Sequence, residues 1–433
     1  MNIWSQAKDL AAQTPTDRNR YVDFLRAISI LVVITGHWLI AAPHYHDGSL
    51  TLSDLLVFQP NAQWLTWLFQ VMPIFFIVGG YANAVSLESA RKREVGYADW
   101  LAGRLTRLVT PLLALFLGWA LLAAILYVSG VSGVVIGGAS RAALIPTWFL
   151  AIYIMVVVLA PATYSAWRRW GFASFWAFAA AGALVDIAFF AADIRWMGWT
   201  NYFWIWLAVH HLGYAWRDGR VGGPAQLMTC SALGLLALLL LVFKGPYPLA
   251  MVGSPDEDLS NSLPPKITLL ALSVVQFGLL LAIERPMRRL LSGPRVWAAT
   301  VLINSMIMTV YLWHLTVMVI IVSLAYLAGG LGLGLEPGSP GWWLSRPIWI
   351  ALLYAALMPV ALLMAPLERR ARATDAVAPP AARLVGGAIL ICLGVALLSF
   401  FGFGSAPVPG LGVAAFLMVV AGSAISGLLP GFR

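Results

Sequence analysis

Apolar runs of about 20 residues recur along almost the whole chain and limit what it can fold into. Of 433 residues, 61% are hydrophobic and 10% are charged, whereas soluble domains carry about 25% charged residues. A run of this length crosses a bilayer only as a helix, because its backbone must satisfy its own hydrogen bonds there. The composition excludes a soluble globule and a disordered chain, and two cysteines exclude a disulfide-rich secreted module.

Twelve apolar runs are long enough to be read as membrane spans. The fold class they predict is an all-α, polytopic transmembrane helical bundle. The predicted spans are 22–42, 64–86, 108–129, 147–166, 172–192, 198–216, 225–243, 267–284, 299–327, 347–366, 384–404 and 409–429.

The distribution of positive charge predicts the orientation of these spans. Lys and Arg accumulate in short cytoplasmic loops of membrane proteins. With the N-terminus inside, 21 of the 27 Lys and Arg residues lie in inner segments and five lie in outer ones. The alternation favours an even number of spans, a multi-pass protein of the cytoplasmic membrane, and both termini in the cytoplasm. It also accounts for the net charge of +9 without a nucleic-acid partner.

The first span carries three ionisable residues, Asp23, Arg26 and His37. A charged side chain inside the bilayer costs free energy, so its presence in a span indicates a function. Arg26 and His37 are about 20° apart around a helix and about 16 Å apart along it, so one face carries both. We expect them to line one cleft that opens to the cytoplasm, with His37 suited to act as a general base. The alternatives are an interfacial Arg26 paired with Asp23, and a His37 that only packs.

Two further motifs place polar residues one helical turn apart. Arg104 and Arg107 open the third span and could converge on one phosphate, or serve only as positive-inside anchors. Tyr311 and His314 share a face of the ninth span and could point into one cavity, or form an aromatic packing stripe. The sequence supports no metal site.

These motifs together resemble the membrane-bound acyltransferase 3 family. Its marks are an Arg or Lys followed after ten residues by His in the first helix, an Arg-x-x-Arg at the third, and a late Tyr-Leu-x-His. All three occur here in order. Supporting stretches are Asp23-Phe-Leu-Arg-Ala, Val71-Met-Pro-Ile-Phe-Phe-Ile-Val-Gly-Gly80 and Thr147-Trp-Phe-Leu150. The sequence departs from the family where Gly79-Gly80 replaces a Ser-Gly pair and where Asn304-Ser305-Met306 stands in place of Ser-Tyr.

The resemblance implies a domain organisation. Residues 1–21 would form a cytoplasmic N-terminal segment and 22–370 a ten-helix acyltransferase core. Residues 371–383 would form a cytoplasmic linker, and 384–433 about two additional C-terminal helices.

The resemblance also implies a chemistry. Acyl-CoA, most plausibly acetyl-CoA, would be the donor substrate, and no cofactor would be permanently bound. The acceptor would be a hydroxyl of a carbohydrate, glycolipid or cell-envelope glycan. Arg104 and Arg107 would bind the CoA phosphates, His37 would act as the base, and Arg26, oriented by Asp23, would hold CoA or stabilise negative charge. Tyr311, His314 and Trp148 are candidate oxyanion donors. A twelve-helix secondary transporter of a sugar or lipid, and an idle scaffold with the same fold, are the competing readings.

Overall fold

The computed structural model describes residues 3–15, 18–253, 258–370, 378–404 and 410–429. Eighteen α-helices lie in this part of the chain, with a single two-stranded sheet, β1 (Ala41–His46) and β2 (Ser49–Asp54). The helices are α1 (Ile3–Ala12), α2 (Arg20–Ile40), α3 (Leu55–Phe58), α4 (Leu65–Phe69), α5 (Met72–Lys92), α6 (Tyr97–Val128), α7 (Gly133–Leu144), α8 (Thr147–Trp170), α9 (Phe172–Ala191), α10 (Asn201–Arg217), α11 (Pro224–Lys244), α12 (Ile267–Ala282), α13 (Glu284–Leu290), α14 (Pro294–Ser305), α15 (Ile307–Leu327), α16 (Pro340–Arg370), α17 (Ala381–Phe401) and α18 (Leu411–Ile425).

The all-α polytopic bundle predicted from the sequence is confirmed. Nine helices in the described residues are long and apolar enough to cross a membrane, and the pair α12 and α13, bent by 55°, makes a tenth if it is one span. Two predicted spans are helices shorter than this length requirement: α10 has 17 residues and α18 has 15. Helix α18 is one of the shorter apolar helices of the described residues, and α10 overlaps the other predicted run.

The predicted ninth span is broken into α14 and α15. Met306 lies between them with φ −120° and ψ 14°, outside the helical region. Ser305 Oγ donates to Leu302 O, the carbonyl that the amide of residue 306 would take in an unbroken helix. Asn304 Nδ2 donates to Thr300 O within the helix. The Ser305 side chain thus satisfies a carbonyl at the end of α14, and the polar pair Asn304-Ser305 marks the break.

Helix α7 and the hairpin are among the elements that were not predicted from the sequence. Helix α7 is a short apolar helix whose N-cap is Ser132, and the Ser132 hydroxyl accepts from Val135 N. The hairpin of β1 and β2 turns at Asp47 and Gly48, both with positive φ. An Asp-Gly pair is a common signal for such a turn, so the sequence carried the signal for the hairpin.

The helices belong to two compact units, each assembled from three stretches of chain. The first unit comprises Met1–Gly36, Ser53–Ser86 and Ala162–Ser305, and the second comprises His37–Leu52, Leu87–Pro161 and Met306–Arg433. In the first unit, α5 and α10 cross closely where Gly80 and Gly213 meet.

The second unit includes the two C-terminal helices. Helices α17 and α18 pack through small residues, since a Cβ on Gly394 would lie 2.6 Å from Ala415 O. Cys392 Sγ contacts Ala151 O in α8 at 3.2 Å. Helix α17 begins at Ala381, while residues 371–377 of the predicted linker lie outside the described residues. The predicted domain boundaries stay a prediction.

Candidate active site

Two histidines from distant parts of the chain meet in the second unit. Nδ1 of His37, near the end of α2, lies 2.8 Å from Nε2 of His314 in α15. Their rings are nearly parallel, with an interplanar angle of 6° and centroids 5.1 Å apart. His314 has no exposed surface, whereas His37 is partly exposed. His37 is therefore the more accessible of the two rings.

The hydrogen bonds of this pair fix the tautomer of each neutral ring. Nδ1 of His314 lies 2.6 Å from Tyr311 O, and a carbonyl oxygen can only accept. Nδ1 of His314 therefore carries the hydrogen, and its Nε2 accepts from the Nδ1–H of His37. The lone pair of His37 is then on Nε2, which makes no hydrogen bond within the described part of the chain. This is the tautomer that a general base requires.

Aromatic residues hold His314 in place. Trp38 Nε1 donates to His314 O at 3.1 Å, and the Trp38 ring packs edge-on against Tyr354 of α16 with centroids 4.8 Å apart. Trp38 is fully buried. The pair of imidazoles is thus supported from α2, α15 and α16, as preorganised catalytic groups require.

Tyr311 contacts His314, and Phe149 connects Tyr311 to Trp148. The Tyr311 hydroxyl donates to Pro146 O at 2.6 Å and its ring is 6.1 Å from that of His314. Phe149 packs edge-on against Tyr311 at 5.9 Å and against Trp148 at 6.5 Å. The Tyr311 hydroxyl already has an acceptor, so its observed role is to join α15 to the start of α8.

Arg26 and Asp23 form a polar cluster in the first unit. Asp23 Oδ1 accepts from Arg26 Nη2 at 3.1 Å, and Oδ2 accepts from Arg18 Nε at 2.6 Å. Asn304 of α14 completes the cluster, because its Oδ1 accepts from Arg26 Nε at 2.7 Å while its amide donates to Asp23 O. The side chain of Arg26 is 37% exposed, so its outer edge stays accessible. The pairing with Asp23 agrees with the interfacial alternative, and the cleft shared with His37 stays a prediction.

Arg104 and Arg107 lie on α6 in the second unit, away from its buried face. Leu101, Leu105 and Val109 are fully buried, Arg104 is partly buried and Arg107 is exposed. The Arg104 guanidinium lies 5.6 Å from the centre of the Trp100 ring. The partial or full exposure of Arg104 and Arg107 is compatible with an anion-binding site and equally with positively charged membrane anchors.

Three supporting residues were missed by the sequence reasoning. Asn304 stands where the sequence departs from the family motif, and that departure was the available signal. Arg18 was counted only as an inner charge. Trp38 follows His37 directly, but its bond to His314 depends on which helices pack together and has no signal in the sequence.

Asn304 gives a direct test of the Arg26 cluster. In Asn304→Ala, Arg26 Nε loses its acceptor, and we expect destabilisation of about 1.5 to 3 kcal/mol, the range for a hydrogen bond to a charged group. We also expect lower acyl-transfer activity if Arg26 serves the reaction. Apparent melting temperature and the rate of acetyl-CoA consumption measure the two effects. Asn61→Ala, the same substitution at an exposed position, is the matched control and should leave both quantities unchanged. Unchanged stability in Asn304→Ala would contradict the assignment.

The fold is that of a multi-pass membrane protein. Its apolar helices carry ionisable side chains in close contact, including the pair of His37 and His314 and the cluster of Asp23 and Arg26. A family model described as an acyltransferase domain matches residues 19–366, which includes every predicted site residue. The chain belongs to the acyltransferase 3 family and is a membrane acyltransferase. Comparison with curated proteins gave no match, and neither did comparison with solved structures.

Proposed function

We propose that the protein is an O-acyltransferase that moves an acyl group, in the first instance acetyl, from cytoplasmic acyl-CoA to a hydroxyl of a carbohydrate, glycolipid or cell-envelope glycan. The observation that carries the proposal is the hydrogen-bonded pair of His37 and His314, in which His37, the partly exposed member, has an available lone pair. A pair of neutral imidazoles in this order is suited to removing a proton from a hydroxyl.

The proposed reaction uses the hydrogen bonds of the two imidazoles to move one proton. His37 Nε2 takes the proton of the acceptor hydroxyl as that oxygen attacks the thioester carbonyl. The resulting imidazolium is stabilised because its Nδ1–H still donates to His314 Nε2. When the tetrahedral intermediate collapses, the C–S bond breaks and the proton passes from His37 to the leaving thiolate. The products are an ester and CoA, and His37 returns to its starting tautomer.

The donor side of the proposal rests on Arg104 and Arg107. Their guanidinium groups occupy one side of α6 in the same unit as the His pair, and Arg is well suited to phosphate. Arg26 with Asp23 is proposed to contact the donor or stabilise negative charge. The proposal places the protein in the cytoplasmic membrane with both termini inside, as the distribution of positive charge predicts.

Replacing both arginines of α6 should weaken donor binding. In Arg104→Ala with Arg107→Ala we expect the KM for acetyl-CoA to rise by about tenfold or more, while kcat changes less, because binding to remote phosphates is lost. Steady-state kinetics of the purified protein measures this. Arg91→Ala with Arg93→Ala is the matched control, since it removes the same charge nearby. An unchanged KM would leave Arg104 and Arg107 as membrane anchors.

One comparison tests the proposed reaction as a whole. Surface glycans and glycolipids of wild-type and deletion strains are compared by mass spectrometry, and we expect an ester to be lost from one of them. The purified protein should then transfer acetyl from labelled acetyl-CoA to that acceptor. Counterflow of a sugar or lipid in liposomes without acyl-CoA, together with no ester lost, would instead support a transporter.

A further inference from the structure

A cluster of unpartnered hydrogen-bond donors is buried in the second unit on α16. Arg346 is 6% exposed and lies among Trp342 and Trp349, which are 1% and 9% exposed. In the described part of the chain, Arg346 Nε and the Nε1 atoms of both indoles have no hydrogen-bond partner. Three donors without an acceptor in one buried cluster are unusual, because buried polar groups are nearly always satisfied.

The geometry joins these three side chains into one cluster. The Arg346 guanidinium carbon lies 4.1 Å from the centre of the Trp342 ring and 5.5 Å from that of Trp349. Ser345 Oγ is its one hydrogen-bond acceptor among the described residues, at 3.3 Å from Nη2. The spacing of 342, 346 and 349 puts all three on one face of the helix, which continues with the buried Leu353 and Leu357.

The cluster has positive charge and no counter-ion in the ranges that the structure describes. Within the described residues no acidic side chain forms an ion pair with Arg346. Contact with two aromatic rings offsets part of the cost of burying the guanidinium, but it supplies no hydrogen-bond acceptor. The group that would complete the cluster is therefore an oxyanion, which accepts hydrogen bonds and carries the opposite charge.

The position of the cluster relates it to the histidine pair. Arg346 precedes Tyr354 by eight residues in α16, a rise of about 12 Å. The Tyr354 ring packs on Trp38, which donates to His314 O. Arg346 therefore lies to one side of the pair, toward the loop that joins α15 to α16. Residues of that loop meet the hairpin, since Tyr45 N donates to Leu333 O.

We propose that Arg346, Trp342 and Trp349 bind an anionic group of the acceptor, a carboxylate or a phosphate on a sugar, while the reacting hydroxyl lies at His37. This inference rests on the proposed function and narrows its acceptor to an acidic carbohydrate or a phosphate-bearing glycolipid. Arg346 supplies a fixed fork for the oxyanion, and the two indole N–H groups add donors that a neutral aromatic ring would lack.

Binding of small probes to the full chain in nanodiscs tests the inference. The probes are p-nitrophenyl β-D-glucuronide against p-nitrophenyl β-D-glucoside, and glucose 1-phosphate against methyl glucoside. We expect at least one anionic probe to bind about tenfold or more tightly than its neutral partner, a difference of about 1.4 kcal/mol. The first pair reports a carboxylate and the second a phosphate.

Variants test whether the preference for anionic over neutral probes arises from the cluster of Arg346, Trp342 and Trp349. Arg346→Met should reduce it to below about twofold, and Trp342→Phe, which removes only an N–H near the ion, should weaken anion binding a few-fold. Arg141→Met, at an exposed position on α7, should leave it unchanged. If Arg346→Met does not fold, Arg346→Lys keeps the charge without the fork and should lower the preference. Equal binding of anionic and neutral probes by the wild type, or an unchanged preference in the Arg346 variants, would overturn the inference.

A second measurement separates this inference from the proposed reaction. Acetyl-CoA consumption is followed in the wild type and in a His37 variant with every probe. In one outcome, the wild type transfers no acetyl group but prefers anionic probes, and Arg346→Met loses that preference. The proposed reaction is then rejected and the anion site is supported. If transfer depends on His37 and no probe shows a preference, the reaction stands and the anion site fails.

Discussion

His37→Gln is expected to lower the rate of acyl transfer by about 10³-fold, within the range for loss of a general base. Glutamine is close in size and its amide can still contact His314 Nε2, but it has no nitrogen lone pair that can take a proton at neutral pH. The loss should appear in kcat, because the proposed donor contacts, Arg104 and Arg107, lie on α6. Acetyl-CoA consumption and ester formation by the purified protein measure it.

The control for this prediction is His46→Gln. His46 is an exposed histidine of β1 whose side chain is 76% accessible, so the same substitution there should leave the rate unchanged. Both variants should show the wild-type elution profile and melting temperature. Transfer at the wild-type rate by His37→Gln would remove His37 from the reaction and with it the proposed mechanism.

A double-mutant cycle tests the role of His314. His314→Phe removes the acceptor that holds the His37 tautomer, because a phenyl ring has no lone pair, and we expect a rate loss of about 10²-fold. Because the two rings act as one unit, the double variant should be little slower than His37→Gln alone. Additive losses would mean that His314 acts independently of His37.

Gly213→Ala is expected to disrupt the first unit. A Cβ on Gly213 would lie 2.0 Å from Ile77 O and 2.6 Å from Tyr81 N, so it would meet the backbone of α5, which cannot rotate away. We expect a cost of at least about 3 kcal/mol, at the upper end for overpacking, because two helices must separate. Yield of monodisperse protein and apparent melting temperature measure the loss.

The control is Gly386→Ala on α17, where no atom of the described residues outside the adjoining helical turn lies within 4 Å of the added methyl group. Alanine is the better helix former, so this variant should be as stable as the wild type or more stable by up to about 1 kcal/mol. Equal melting temperatures for the two variants would contradict the close crossing of α5 and α10. Gly80→Ala, the reciprocal change, should behave like Gly213→Ala, since its Cβ would lie 2.1 Å from His210 O.

The site could be predicted from the sequence as a set of residues but not as a set of contacts. The one-turn spacing correctly joined Tyr311 to His314, because a continuous helix fixes which residues share a face. It gave no sign that His314 would meet His37, which is 277 positions away. The same limit hid Asn304, which contacts Arg26 although 278 positions separate them.

The sequence by itself determined that the chain is a polytopic helical membrane protein, because a long apolar run has no other way to satisfy its backbone in lipid. It also identified the family, since the motifs depend on residue type and order. The tertiary structure decided how the histidines are paired, which one is accessible and which tautomer it adopts. Those properties come from helices that are distant in the chain and meet through side-chain packing, which no local spacing encodes.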